Sequence, residues 1–304
     1  MKPAALKAGD TIALVSPASP LSPASIEFMV NLLTTEGYKT VIGPNAFNRD
    51  DYLAGTDAER AADLEWAFSD PSIQGIMCTR GGYGVARLLS LLDLDMMAAS
   101  RKLFCGFSDI TSLHLALNAR GLPTLHSPMA ITLSNPKEDW VYESLLAALK
   151  GENPIPATAP VATCVVGGES EGVVTGGCLC LIADSLATPN SIDCAGKIVI
   201  IEDVDENPHR IDAMLTHLCN AGEIQQSAGI VIGEMTRTDE RVDEGIGGKP
   251  WRDIVVDRLG DLGIPMIIDF PFGHAKNQLS LPLGIRARLN ADEGRLEYTE
   301  ALCS

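Results

Sequence analysis

Short apolar runs recur along the first half of the chain, each followed by a polar turn and then by apolar positions at helical spacing. Residues 11–15, 39–42, 76–79, 103–107 and 123–125 read as strands. Between them, Ser22-Pro23 opens a helix with apolar residues at 26, 29, 30 and 33 that Gly37 stops. Thr56 caps a second helix running to Phe68, where Asp70-Pro71 ends it. Further helices are predicted over 85–92, from Ile110 (apolar at 110, 113, 115 and 117) and over 140–149. Strict alternation of strand and helix predicts a parallel sheet covered by helices on both faces.

The pattern breaks at residues 151–165, a stretch rich in Pro, Ala and Thr without helical period. We take it as a linker between a domain over 1–150 and a second over 166–304. In the second, 172–174, 198–201, 229–232 and 264–268 read as strands, and Gly176-Gly177 is expected to open a helix. Asn207-Pro208 starts a helix to Cys219 with Gly222 as its stop, and another spans 251–262. Residues 285–289 and 295–298 pair across Ala291-Asp292-Glu293-Gly294 as a hairpin.

Composition narrows the function classes. The 304 residues are 46% hydrophobic, enough for a proper core. Residues 1–150 hold 12 Lys+Arg against 16 Asp+Glu, net −4, and residues 151–304 hold 11 against 24, net −13. Such an acidic chain lacks the basic face that phosphate binding needs, so no nucleic-acid partner is expected. No apolar run approaches the ~18 residues of a membrane span, and the first ten residues lack a signal-peptide core. The eight cysteines fall mostly in apolar segments; their close pair, Cys178-x-Cys180, has no second pair at zinc-finger spacing. Buried, reduced thiols in a cytoplasmic protein are expected.

Candidate chemistry centres on Gly106-Phe107-Ser108-Asp109, where a strand must turn sharply into a helix. A serine there is lifted clear of the sheet, with the helix's free N–H groups beside it, as an acyl-transfer nucleophile requires. Taken alone, Ser108 is equally a helix N-cap, and Ile110 stands where a Gly-x-Ser-x-Gly elbow has its second glycine. Arg80-Gly81-Gly82-Tyr83-Gly84 follows a strand, so its glycines allow close backbone approach to an anion or simply form a tight turn. Glu202 closes a buried strand, where open α/β sheets place ligand-binding groups. Asp203-x-Asp205-x-Asn207 lacks the glycine and twelfth-position glutamate of a calcium loop. Of five histidines, His114 and His217 fall on helices, His209 in a first helical turn and His126 at a strand end; His274 lies on a loop after Phe272-Gly273. No pair has metal-ligand spacing, so no metal is expected.

With these residues in order, the chain resembles the LD-carboxypeptidase family of serine peptidases. The likeness rests on Arg80-Gly81-Gly82-Tyr83-Gly84, Gly106-Phe107-Ser108-Asp109, Ile201-Glu202-Asp203 with Asn207-Pro208, and Phe272-Gly273-His274 with Leu281-Pro282-Leu283-Gly284. It implies an α/β fold, with a flavodoxin-like N-terminal parallel-sheet domain and a smaller C-terminal β-containing domain. It implies Ser108 as nucleophile, His274 as general base, Glu202 as the acid orienting the imidazole, and the backbone N–H groups of Gly82 and Asp109 as oxyanion donors. A homodimer, no cofactor, and hydrolysis of an L,D amide that releases D-alanine from a murein tetrapeptide in cell-wall recycling complete the expectation. Cys178 departs from the family's usual asparagine.

Two other readings stay open: a microcin-immunity type peptidase acting on peptidyl-nucleotides, which needs an aromatic platform (Trp140 and Trp251 are unplaced), and a non-catalytic module binding an anion at Gly81-Gly82. Within the first reading, Arg80 is the candidate to hold the carboxylate of the leaving D-amino acid, against a structural ion pair with a nearby acid.

Overall fold

The computed structural model describes residues 2–243, 245 and 248–304. In chain order the strands are β1 Thr11–Val15, β2 Lys39–Ile42, β3 Gly75–Cys78, β4 Leu103–Gly106, β5 Thr124–His126, β6 Thr163–Val166, β7 Glu169–Cys178, β8 Ile198–Val204, β9 Gly229–Thr236, β10 Met266–Ile268, β11 Leu281–Leu283, β12 Arg286–Asn290 and β13 Arg295–Tyr298. They form two sheets in two compact units. The first unit is Met1–Pro156 with Ser280–Gly284 and Ala301–Ser304, and the second is Ala157–Leu279 with Ile285–Glu300.

The first sheet has the order β11-β5-β4-β3-β1-β2, and its five N-terminal strands are parallel. This is the flavodoxin-like arrangement, which places ligands beyond the carboxyl ends of the strands. β3 and β4 are buried along their whole length, as strands covered on both faces must be. Phe104 packs between Phe68 and His114, at ring-centroid distances of 5.7 and 5.6 Å. The helix Asp57–Ser69 starts with a reciprocal Thr56–Glu59 capping box and buries Leu64, Ala67 and Phe68 against this sheet's core.

Two local expectations are corrected, and one further strand is added. The helix predicted over 85–92 is a single 3₁₀ turn, Ala86–Leu88, followed by a separate helix Leu94–Ala99. The Asp93 carboxylate accepts the Met96 N–H at 2.9 Å and so opens a new helix. Gly176-Gly177 does not open a helix: both pair with Ile200 and Ile201 inside β7, and the helix Leu179–Ser185 follows. Long-range pairing outweighs glycine's weak strand propensity there. Finally, Leu281-Pro282-Leu283 pairs antiparallel to β5 at the edge of the first sheet, a position that suits a proline lacking an N–H.

The second sheet, β13-β12-β7-β8-β9-β10-β6, is mixed. β7 to β10 run parallel, flanked by antiparallel β6 on one side and the β12–β13 hairpin on the other. Residues 198–201 of β8 are fully buried, and the helix Pro208–Ala221 begins on its proline and ends at Gly222 with φ +75°. Asn207 holds the N-cap position but forms no capping bond through its side chain. Among the described residues no helix is long and apolar enough to cross a membrane.

Candidate functional site

In the first unit, Ser108 adopts φ +66°, the left-handed region that a non-glycine residue enters only under constraint. It starts a 3₁₀ turn, Ser108–Ile110, that leads from β4 into the helix Thr111–Ala119. A Cβ at Gly106 would stand 3.0 Å from two Ile110 carbons and 3.2 Å from Cys78 Cβ. Gly106 therefore lets the helix fold tightly over the strand end, while the isoleucine at the usual second glycine position fills the space. His114 fixes the same strand end. Its Nε2 lies 2.8 Å from the Gly106 carbonyl, which can only accept, so Nδ1 accepts the Thr124 hydroxyl at 2.9 Å. Burial pushes its pKa down to about 3 and keeps it neutral.

The Arg80–Gly84 turn adjoins this elbow. A Cβ at Gly81 would lie 2.9 Å from Ser108 Cβ and 3.3 Å from the Asp109 amide nitrogen. Gly82 adopts φ +120° beside Ser19, and the Ser19 N–H donates to the Gly81 carbonyl at 3.3 Å. Asp109 is buried, and its carboxylate accepts the Val85 N–H at 2.9 Å, tying the end of the glycine turn to the elbow. Burial pushes that carboxyl up to about 6, against the pull of the Val85 bond and the Arg60 charge. The Arg60 guanidinium, fully buried, donates to the carbonyls of Pro17 and Gly84 and pairs with Asp57. Arg80 bonds the carbonyls of Gly81 (3.3 Å) and Pro20 (3.2 Å), and among the described residues it forms no ion pair.

In the second unit, β8 delivers Glu202 fully buried. Its Oε2 accepts both the His274 backbone N–H, at 3.0 Å, and the ring Nδ1–H, at 2.7 Å. Gly273, at φ +84°, makes this possible, since any Cβ there would collide with the Glu202 carboxylate. Burial disfavours the imidazolium, yet the charge and hydrogen bond of Glu202, helped by Asp203, outweigh it and raise the His274 pKa above its ordinary 6.5. A buried carboxylate that fixes Nδ1 leaves Nε2 as the nitrogen suited to exchange protons with a reacting group. His209 and His217 are exposed on their helix and take no part.

Two family models match the chain: the LD-carboxypeptidase N-terminal domain over residues 12–127 and the LD-carboxypeptidase C-terminal domain over residues 171–289. The chain belongs to the LD-carboxypeptidase family. The N-terminal match contains Arg80, Gly82, Ser108 and Asp109, and the C-terminal match contains Glu202 and His274. The chain is 40% identical to a provisionally named carboxypeptidase of Streptomyces coelicolor, over 100% of this chain and 98% of that one. It is 30% identical to the murein tetrapeptide carboxypeptidase of Pseudomonas aeruginosa (93% and 94% covered) and 28% identical to the microcin C7 self-immunity protein of Escherichia coli (99% and 96%). The crystal structure of muramoyltetrapeptide carboxypeptidase from Oxalobacter formigenes superposes with a TM-score of 0.82 at 26% identity, covering 95% of this chain and 97% of that one.

In this family member, the supports of the elbow were not legible in the sequence. Arg60 carries a signal in hindsight: it lies four residues before Leu64, on the apolar stripe of its helix. His114 likewise falls one residue after Leu113 in a helix whose described face is buried almost throughout. Cys180 and Asp203 were also not joined by sequence: the Asp203 carboxylate accepts the N–H groups of Cys180 (2.9 Å) and Val204 (2.7 Å).

Proposed function

We propose that this chain is a serine-type LD-carboxypeptidase that releases a C-terminal D-amino acid, D-alanine, from murein tetrapeptides. The observation that most supports it is the Glu202–His274 pair: a loop histidine held at Nδ1 by a fully buried carboxylate is built for proton transfer. Ser108 Oγ attacks the scissile carbonyl while His274 Nε2 takes its proton. The N–H groups of Gly82 and Asp109 stabilise the oxyanion, and the imidazolium then protonates the leaving amine. Water, activated by the same imidazole, hydrolyses the acyl-enzyme. Arg80, bonded to carbonyls rather than to an acid, holds the leaving carboxylate through its guanidinium. The reading requires Ser108 and His274 to meet in the working enzyme, which the family resemblance assigns to a cytoplasmic homodimer.

The test is turnover of L-Ala-D-Glu-mDAP-D-Ala, with released D-alanine as readout, beside its C-terminal amide and a nucleotidyl peptide. The free acid should be cleaved best, and Arg80→Met should penalise it far more than the amide. Equal penalties on both would make Arg80 structural. A second reading, a peptidyl-nucleotide peptidase, draws on the likeness to the microcin immunity protein and on Tyr52 and Tyr83. These tyrosines are exposed and meet edge to face at 5.7 Å next to Gly82, a surface on which a base can stack. Trp251 is no such platform, being buried, while Trp140 is half-buried. Preferential cleavage of the nucleotidyl peptide would establish this second reading instead.

A further inference from the structure

At the junction of β7 with the helix Leu179–Ser185, three ligating side chains converge. Cys178 Sγ lies 3.4 Å from Cys180 Sγ and 3.5 Å from Asp203 Oδ1, and one ligand atom from each residue falls within 4.8 Å of the others. We propose that Cys178, Cys180 and Asp203 form a binding site for a thiophilic divalent cation, Zn²⁺ being the ion it fits.

Two of the three separations are close to those of a tetrahedral site. Zn–S bonds of about 2.3 Å and a Zn–O bond of about 2.1 Å put sulfurs about 3.8 Å apart and sulfur and oxygen about 3.6 Å apart. The Cys178–Cys180 and Cys178–Asp203 separations of 3.4 and 3.5 Å lie close to these values, and the third pair lies within 4.8 Å. The carboxylate is already oriented, because the N–H groups of Cys180 and Val204 hold its two oxygens while lone pairs remain for a metal. Cys178 and Asp203 are buried, whereas Cys180 is partly exposed and gives the ion its entry. Glu202 and Glu206 add negative charge nearby, and no cation forms an ion pair with Asp203 among the described residues. Two sulfurs and one oxygen select a borderline-soft ion over Mg²⁺ or Ca²⁺, which favour oxygen throughout. On binding, each thiol releases its proton to solvent as its sulfur–zinc bond forms, and water completes the fourth position. No electron is transferred. The site adjoins the Glu202–His274 pair, Cys178 pairing with Glu202 across β7 and β8, but shares no residue with it, so this inference does not depend on the substrate assignment.

The experiment uses the full chain, reduced and freed of metal, titrated with Co²⁺ and then with Zn²⁺ in competition with a chromophoric chelator. The expected result is one equivalent bound per chain, with thiolate-to-cobalt charge-transfer absorption that Zn²⁺ abolishes. Cys180→Ser, at a partly exposed position that should fold normally, should weaken Zn²⁺ binding by more than the ~100-fold that loss of a mere supporting bond costs. Cys178→Ser should do the same, and Cys164→Ser should change nothing. The proposal falls if the wild-type chain gives no thiolate band, if the band survives in Cys180→Ser, or if Cys164→Ser removes it.

Discussion

The serine elbow and the acid–imidazole pair are built on opposite principles. The elbow is held by shape: a positive φ at Ser108, contacts that only glycine permits at Gly81 and Gly106, and a neutral, buried His114 bonded to the strand end. The pair is held by charge: one buried carboxylate collects two N–H bonds from a single residue and raises that residue's pKa. A shape-held group tolerates changes of pH and fails when a methyl is added. A charge-held group tolerates little loss of charge, even when shape is kept. Each variant below attacks one of these two modes.

The largest effect belongs to Ser108→Ala. If Ser108 is the nucleophile, turnover should fall by ~10⁶-fold, as for removal of a serine in other serine–histidine–acid sets. The melting temperature should move only slightly, because truncating a single hydroxyl costs about 1 kcal/mol. Turnover close to wild type would remove Ser108 from the mechanism.

Glu202→Gln keeps the shape and deletes the charge, so it should cost ~10⁴-fold in turnover. The wild-type rate should rise with pH as the imidazolium deprotonates, with a midpoint above 6.5 because Glu202 raises the His274 pKa. In the variant, NMR titration should place the His274 midpoint lower than in the wild type. The sign for stability follows from the raised pKa: the pair's contribution is full below the unfolded value and is lost as pH rises through the folded one. A His274 midpoint that does not move would show that Glu202 does not control the imidazole.

Gly81→Ala probes shape alone, since Gly81 has no positive φ and a Cβ there meets mainly Ser108, at 2.9 Å from Cβ and 3.0 Å from Oγ. Displacing the serine by a few tenths of an ångström or more should lower kcat by up to ~10²-fold. The His274 titration should stay as in the wild type, which separates this variant from Glu202→Gln. An unchanged kcat would show that the turn does not position the serine.

These two modes also explain what the sequence made legible. Apolar runs and caps located β1 to β5 and most helices, because local burial and capping decide them. The charged and polar motif residues stood out because Ser108 and Glu202 lie at strand ends and His274 on a loop just beyond a buried run, positions unusual for a core. The shape-making contacts were invisible: nothing local says that Gly81 faces Ser108 across 27 positions, or that Arg60 reaches Gly84. The Gly176-Gly177 error has the same origin, since β8 pairing, not local propensity, extends β7 through both glycines.

The smallest effect separates the two modes within a single residue. Asp109 belongs to the elbow, yet it carries a charge that burial resists, with its carboxyl pushed up to about 6 from an ordinary 3.8. A raised folded-state value means stability that is complete below 3.8 and is lost as pH rises through about 6. Above that pH the ionised group is a cost, on the order of 3 kcal/mol at most for a shift of about two units. Asp109→Asn keeps an oxygen that can accept the Val85 N–H and removes the titration. Relative to the wild type, its melting temperature should therefore rise by several degrees between pH 4 and pH 7.5. If the elbow is held by shape, the variant is at least as stable as the wild type at the upper pH. A melting temperature well below wild type at pH 7.5 would mean that the Asp109 charge, through its bond to Val85 or its attraction to Arg60, holds the turn against the serine, and the contrast between the two regions would collapse.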